Sequence, residues 1–199
     1  MKNHKLKIKG NKGNKGMTYV ELIVVLSIFS VITSVVIFNY GEFQAKVDMK
    51  NLASDIALKI VEAQKSSLSG VLPLSVYDAN WKPSYGIHFN MATRDRFVYF
   101  VDLNLNGVMD DPERLDTIVI TKDNLISAID RCSGVSCDSS SPISPLSIIF
   151  KRPDSQAVFR DSGGATLPNN FDYIKITIQS PQGTTDFIKV YPSGRIQVN

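Results

Sequence analysis

The segment from Asp102 to Glu113 has the residue types and the spacing that hold a calcium ion. It matches the calcium-loop pattern D-x-[DN]-x-[DN]-G-x5-E over its full length. Ca²⁺ takes several oxygen ligands, and Gly107 permits the sharp turn that such a loop needs. The candidate ligands are Asp102, Asn104, Asn106, the carbonyl of Val108, Asp110 and a bidentate Glu113. Calcium bound here would have a structural role.

A second interpretation of this segment stays open. The flanking residues have the pattern of strands, whereas an EF-hand loop lies between two helices. In a hairpin, Asn106-Gly107 would simply make the turn and the acidic side chains would be solvated. The sequence alone therefore leaves a calcium loop and a solvated hairpin loop as alternatives.

The only two cysteines, Cys132 and Cys137, enclose the residues Ser-Gly-Val-Ser. Gly134 makes such a small loop feasible, and a disulfide is expected if the segment lies outside the cytoplasm. Two free thiols are the alternative. Because no histidine or further cysteine is near in sequence, the pair is poor material for a metal site. We predict a disulfide that staples a loop and has no redox function.

Few residues suggest catalysis. The two histidines are His4, in the basic N-terminal segment, and His88, inside an alternating strand pattern. The sequence has no nucleophile elbow, Walker loop or cluster of metal ligands at a known spacing. We therefore predict that the chain is not an enzyme and that it requires no cofactor.

The first 40 residues combine a basic segment with an apolar run. Residues 1–16 contain six lysines and no acid, and residues 22–38 contain no charge, glycine or proline. About 20 apolar residues span the hydrocarbon core of a bilayer, and lysines before such a run predict a cytoplasmic N-terminus. We expect a single transmembrane segment at residues 17–40, with the rest of the chain outside the cytoplasm.

Three kinds of protein begin in this way. A secretory signal would need a small-x-small cleavage site after the apolar run, and Phe38–Phe43 offers no convincing one. An ordinary signal anchor fits the hydrophobicity but leaves Glu21 unexplained, since a charge at the centre of a membrane helix costs roughly 2.5–3.5 kcal/mol. A cut before the apolar run explains both features.

The junction between the basic segment and the apolar run resembles the processing motif of type IV prepilins and type II secretion pseudopilins. It reads Lys15-Gly16-Met17-Thr18-Tyr19-Val20-Glu21-Leu22. That family has Gly before the cut, a hydrophobic first mature residue and an acid four residues later. The resemblance implies that prepilin peptidase cuts between Gly16 and Met17 and that the new amine of Met17 is methylated. It also implies that Glu21 pairs with the N-terminal amine of a neighbouring subunit and sets the register of a filament.

Removal of residues 1–16 would reverse the net charge. The chain has 22 basic and 19 acidic residues, and loss of the six leader lysines leaves 16 basic residues against 19 acidic ones. Nucleic-acid binding is therefore disfavoured, because it needs a basic footprint. Some pilins of this kind bind DNA through a C-terminal Gly-Arg-x-Arg motif, of which Gly194-Arg195-Ile196-Gln197 keeps only the first arginine.

Hydrophobic periodicity predicts an α+β fold, in which a long helix at residues 17–70 packs on a head of antiparallel sheets at residues 71–199. No Gly or Pro occurs from Glu42 to Ser67, and Ser69-Gly70 supplies a stop. The predicted apolar stripe of the helix is Phe43, Val47, Leu52, Ile56, Ile60 and Ala63. The predicted strands are Tyr85–Phe89, Phe97–Val101, Thr117–Ile120, Leu146–Phe150, Tyr173–Ile178, Phe187–Tyr191 and Ile196–Val198, with a loop at Ser136–Pro145.

This layout resembles the GspH/FimT-type minor pilins and pseudopilins. The residues that fit are Trp81–Phe89, the strand Phe97–Asp102 before the acidic loop, and Pro192–Ile196. The resemblance implies a structural subunit of a type IV pilus or a type II secretion filament, held in the cytoplasmic membrane before assembly. Its partners would be other pilins, prepilin peptidase and the membrane. A DNA-binding competence pilin and a membrane-anchored domain that never polymerises remain as alternatives.

Overall fold

The computed structural model describes residues 16–70, 83–139, 143–168 and 170–199, except the side chains of residues 38 and 39. The predicted leader up to residue 15 and Trp81 lie outside the described residues. The chain divides into two compact units, one ending at Gly41 and the other running from Glu42 to Asn199. The described elements are a helix α1 (Tyr19–Ser69), a short 3-10 helix (Asp111–Glu113), and the strands β1 (Ser84–Phe89), β2 (Arg96–Asp102), β3 (Arg114–Val119), β4 (Leu125–Ser133), β5 (Ser136–Asp138), β6 (Leu146–Phe150), β7 (Ala157–Arg160), β8 (Tyr173–Gln179), β9 (Thr185–Val190) and β10 (Ile196–Val198).

Helix α1 runs without interruption from Tyr19 to Ser69. These bounds agree closely with the predicted helix, because the segment lacks proline and has only one internal glycine, Gly41. The helix stops at Gly70, which has a φ of 64° and donates its N–H to the carbonyl of Ser67 at 3.2 Å. A glycine in this left-handed conformation is a common helix terminator.

The strands form two five-stranded antiparallel sheets. The first has the order β3-β2-β1-β6-β7, and the second has the order β10-β9-β8-β4-β5. In the first sheet Gly86 lies opposite Phe100, whose ring would touch a Cβ on Gly86 at 2.8 Å. The long helix and the two antiparallel sheets confirm the predicted α+β class.

A single core joins α1 to both sheets within the second unit. The helix contributes Met49, Ala53, Ile56, Ala57, Ile60 and Ala63, all of which are buried. The predicted stripe is correct at Ile56, Ile60 and Ala63. It is wrong at Phe43 and Val47, which are 63% and 37% exposed. With 3.6 residues per turn these two positions lie on roughly the opposite side of the helix from Ile56.

Three observed strands differ from the predictions. Strand β4 was not predicted, because Ala128 and Asp130 interrupt its apolar alternation and a register irregularity lies between Ile126 and Ala128. Strand β7, Ala157–Arg160, was not predicted either. The predicted loop at Ser136–Pro145 is wrong at its start, where Ser136–Asp138 pair with β4 as strand β5.

Three turns share one backbone design, in which a glycine follows a tight turn. Gly164, Gly183 and Gly194 have φ values of 74°, 84° and 82°, and each donates its N–H to the carbonyl three residues earlier. The first residue of each turn also donates its own backbone N–H to the carbonyl four residues later. A type I turn followed by a left-handed glycine is a usual three-residue hairpin connection.

Candidate functional site

The predicted processing junction lies just before helix α1. Gly16 and Met17 are exposed, and a Cβ built on Gly16 would meet no atom within 4 Å. Thr18 caps the helix, because its Oγ1 accepts the backbone N–H of Glu21 at 3.3 Å and its carbonyl accepts that of Leu22 at 3.1 Å. Glu21 therefore lies in the first turn, where the helix dipole favours a negative charge.

Thr18 is a functional residue that the processing motif does not reveal. The T-x-x-E spacing of Thr18 and Glu21 is that of a capping box, and this spacing is the signal that could have found it. Helix capping is a second explanation for an acid at Glu21, beside the predicted role in assembly. Glutamine also serves in a capping box, so a glutamine substitution separates the two explanations.

The residues after Glu21 expose apolar side chains on every side of the helix. Within the first unit these exposed side chains include Leu22, Ile23, Val24, Val25, Leu26, Ile28, Phe29, Val31, Ile32, Val35, Val36 and Ile37. The hydroxyls of Ser27, Ser30 and Thr33 each donate at 2.8 Å to a carbonyl three or four residues earlier. Polar groups in hydrocarbon must be satisfied internally. Helix α1 is long and apolar enough to cross a membrane.

The acidic loop lies between β2 and the 3-10 helix, and its side chains bond to its own backbone. Asp102 is fully buried, and its Oδ2 accepts the N–H of Gly107 at 3.1 Å. Gly107 has a φ of 75°, as the predicted sharp turn requires. Asn104 Oδ1 accepts the N–H of Asn106 at 2.9 Å, which closes a short turn inside the loop. The loop is therefore held in one shape by its own polar side chains.

The side chain of Asp110 is bonded to two of the other predicted ligand residues. Its Oδ2 accepts the Nδ2 groups of Asn104 and Asn106 at 3.0 and 3.2 Å. The Oδ1 atom of Asn106 also accepts the N–H of Val108, at 2.6 Å. The structure thus brings together the side chains of three of the six predicted ligand residues around a single carboxylate oxygen.

Glu113 is placed differently from the bidentate ligand that the motif predicts. It is buried, and its Oε1 accepts the N–H groups of Leu103 and Asn104 at 2.8 and 3.3 Å, while its Oε2 accepts that of Asp110 at 3.2 Å. A carboxylate offers about four lone-pair sites, and three are used here. Glu113 therefore ties the two ends of the loop together, and bidentate binding of a cation stays a prediction.

One carboxylate oxygen in the loop has no partner. Asp102 Oδ1 is buried and accepts no hydrogen bond. Burial raises the pKa of Asp102, against the opposing effects of the backbone N–H groups of Gly107 and Leu105 and the positive charges of Lys151 and Arg160. Among the described residues no ion pair joins Asp102 to a base. A buried polar group without a partner is costly.

The turn after β7 supports the acidic loop from outside. A Cβ on Gly164 would lie 3.2 Å from the carbonyl oxygen of Asn106, so the two segments are in close contact. Arg160 donates to the carbonyl of Gly164, and its side chain also lies beside Gly107. No three His, Cys, Asp or Glu side chains form a metal-holding group in the part of the chain that the structure describes.

The predicted disulfide between Cys132 and Cys137 is present. The two residues lie directly opposite each other on β4 and β5, which a two-residue turn joins. Gly134 occupies the first position of that turn with a φ of 60°, where a type II′ hairpin turn requires glycine. Cys132 is buried, whereas Val135 at the tip of the turn is fully exposed. The disulfide therefore ties the edge strand β5 to β4 of the second sheet.

Removal of this disulfide should lower the stability of the folded chain. Short loops are at the lower end of the usual 2–4 kcal/mol, which corresponds to a fall of about 4–8 °C in Tm for a chain of this size. The measurement is thermal unfolding of the full chain in detergent, with and without a phosphine reductant. The double variant Cys132→Ala/Cys137→Ala is the control and should not respond to reductant. An unchanged Tm after complete reduction, verified by alkylation, would contradict the prediction.

His88 and Arg195 are both engaged with neighbours. His88 is buried in β1, and its Nδ1 lies 2.9 Å from the Oγ of Ser147. Burial lowers the pKa of His88. The guanidinium of Arg195 lies 3.7 Å from the centre of the Tyr191 ring. This cation–π contact gives Arg195 a partner within the fold.

Comparison with protein-family profiles, with curated proteins and with solved structures finds no match to this chain. The resemblance to prepilins therefore depends on the residues around Gly16 and on the order of the structural elements.

Proposed function

We propose that this chain is a non-catalytic filament subunit, either a minor pilin of a type IV pilus or a pseudopilin of a type II secretion system. Prepilin peptidase would cut between Gly16 and Met17, and the apolar half of α1 would anchor the subunit in the cytoplasmic membrane. On assembly the same half would enter the filament core, with Glu21 against the N-terminal amine of a neighbour. The partners are other pilins or pseudopilins.

One observation supports this proposal most strongly: the two halves of helix α1 differ in which side chains they expose. Helix α1 begins directly after the processing junction, and its first half exposes apolar side chains in all directions. Its second half buries one stripe, from Met49 to Ala63, in the core of the second unit. A cleaved signal peptide would have no reason to continue as a core element of the mature protein, since it is removed.

The disulfide supports the same topology. Disulfides persist in oxidising compartments and are rare in the cytoplasm. The bond between Cys132 and Cys137 belongs to the second unit. With lysines before the apolar run and none within it, the positive-inside rule places the N-terminus in the cytoplasm. Both features agree with a head that is exported while its leader stays inside.

The test is the mass of the N-terminus of the protein isolated from its own cells. We expect the mature chain to begin at Met17 and to carry a methyl group on its amine. The variant Gly16→Val should remain uncut, and the matched variant Gly13→Val, which alters another leader glycine, should be processed normally. Because a side chain on Gly16 would meet no atom within 4 Å, loss of cleavage would reflect recognition by the peptidase. An intact Met1 in the native protein would instead indicate an ordinary membrane anchor.

A further inference from the structure

We propose that the acidic loop of residues 102–113 binds one calcium ion, and that the ion is held by Asp102, Asn104, Asn106 and Asp110 while Glu113 positions the loop. This inference does not depend on the proposed filament function. It concerns a site within the second unit that would stabilise the head in any surroundings where calcium is abundant.

The first argument is the unpartnered oxygen of Asp102. The side chain is completely buried, and its Oδ2 is held by the N–H of Gly107. The second oxygen, Oδ1, is buried as well and has no hydrogen bond. A buried carboxylate is stable only when a positive charge or a set of donors compensates it. A cation at Oδ1 would supply that charge.

The second argument is the chemistry of the other side chains. Asp110 Oδ2 is approached by two amide groups, those of Asn104 and Asn106. The Oδ1 atoms of these amides accept the N–H groups of Asn106 and Val108. Because an amide oxygen has two lone pairs, each keeps one for a cation. The proposed ligands are thus two carboxylates and two amide oxygens. Calcium accepts such mixed oxygen sets, including backbone carbonyls such as that of Val108.

The third argument is the positioning of the loop. Three backbone N–H groups, at Leu103, Asn104 and Asp110, point to the carboxylate of Glu113. The two ends of the loop are thereby held together before any ion binds. The turn at Gly164 packs against Asn106 on the outer side. A preformed loop loses less conformational freedom on binding, so Glu113 assists the site by holding the loop.

A choice of cation follows from the ligands. Magnesium requires nearly ideal octahedral geometry and gives up its water reluctantly, whereas calcium tolerates six to eight oxygens in irregular arrangements. The loop offers no thiolate, and no imidazole is among its residues, which disfavours zinc and copper. Calcium is therefore the ion that fits this set.

Lys151 and Arg160 are the competing positive charges. Both act on Asp102 from a distance, and among the described residues neither forms an ion pair with it. The guanidinium of Arg160 lies beside Gly107 and donates to the carbonyl of Gly164. Neither base therefore supplies a direct partner for Asp102 Oδ1.

The experiment measures binding of ⁴⁵Ca²⁺ to the full chain in detergent by equilibrium dialysis, together with Tm in calcium, in magnesium and in a chelator. We expect about one ion per chain and, at calcium near 100 times its Kd, a Tm about 5–10 °C above that in chelator. Magnesium at the same concentration should give a much smaller shift. Absence of binding and of any Tm shift at millimolar calcium would overturn the proposal.

Two single substitutions locate the ion. Asp110→Asn should weaken calcium binding at least tenfold, whereas Asp111→Asn, which removes the same charge from the next residue, should leave it unchanged. The Asp111 side chain is 89% exposed and pairs with Arg114, so it lies outside the proposed ligand set. Asp102→Asn should also lose binding, and if that variant fails to fold, Asp110→Asn decides alone. Equal calcium binding by Asp110→Asn and the wild type would place the ion elsewhere and refute the site.

Discussion

Replacement of Glu21 by glutamine is expected to reduce incorporation of the chain into filaments by roughly 100-fold, while processing and membrane insertion continue. A charged side chain in a membrane helix costs roughly 2.5–3.5 kcal/mol, and under the proposed function the amine of a neighbouring subunit compensates this charge in the filament. Glutamine cannot form that ion pair. Since every 1.4 kcal/mol is a factor of ten in an equilibrium constant, loss of such a pair should nearly abolish assembly.

The substitution is informative because it keeps the other role of the residue. Glu21 occupies the third helical position after Thr18, whose Oγ1 accepts its backbone N–H, and this is the position at which a capping box has glutamate or glutamine. The helix should therefore begin at the same place in the Glu21→Gln variant. Thr18→Ala removes the cap instead and should cost about 1 kcal/mol of helix stability. A large assembly defect in Glu21→Gln and a small one in Thr18→Ala would identify charge as the cause.

The measurement is the amount of each variant in sheared or isolated filaments, divided by its amount in the membrane fraction. Glu42→Gln is the matched control, because it makes the same chemical change at an exposed position of the same helix. It should assemble normally. Recovery of Glu21→Gln in filaments at the wild-type ratio would contradict the assembly role and leave helix capping as the explanation for this acid.

The parts of the fold that the sequence predicts are those with a strong local signal. Helix α1 was found almost to the residue, because a long run without proline leaves few other conformations. The strands with continuous apolar or aromatic residues, such as Phe97–Val101, were found as well. Strand β5 was missed because its three residues become a strand only by pairing with β4 across Cys132 and Cys137. Such pairing is a tertiary effect that composition does not show.

The acidic loop shows the same division between local and tertiary information. The spacing from Asp102 to Glu113 indicated a sharp turn at Gly107, which has a φ of 75°. It also predicted a convergence of ligand side chains, of which the structure brings Asn104 and Asn106 to Asp110. It could not show that Asp102 is completely buried, because that burial depends on the surrounding strands. Nor could it show that the carboxylate of Glu113 accepts three backbone N–H groups. Motif spacing identifies candidate ligands, whereas the fold decides which of them remain available to an ion.

Replacement of Gly194 by alanine is expected to destabilise the folded chain by about 2–5 kcal/mol, the largest loss among the turn glycines. A non-glycine residue in the left-handed conformation costs about 1–2 kcal/mol, and Gly194 has a φ of 82°. A Cβ there would also lie only 1.9 Å from the carbonyl oxygen of Ser155. Because that oxygen belongs to the backbone, it cannot rotate away, and overpacking of this kind adds about 1–3 kcal/mol.

Gly194 lies where α1 contacts two segments, the one that contains Ser155 and the turn that contains Gly194 itself. Gln64 in the helix donates from its Nε2 to the carbonyl of Ser155 at 2.8 Å and to that of Gly194 at 3.1 Å. The carbonyl of Pro192, in the same turn, accepts the N–H of Ala157 at 3.0 Å. A methyl group at Gly194 would push the turn away from Ser155 and weaken these bonds together. Loss of stability should therefore exceed the cost of backbone strain alone.

Gly183→Ala is the control that separates strain from steric conflict. Gly183 has a φ of 84° and the same hydrogen bonds as Gly194 within its own hairpin turn, but a Cβ there would meet no atom within 4 Å. Its alanine variant should lose only the backbone cost. Urea unfolding of both variants in full-length form gives the comparison. If the two losses are equal within 0.5 kcal/mol, roughly the usual error of additivity, then contact with Ser155 does not constrain Gly194, and the glycine serves the turn alone.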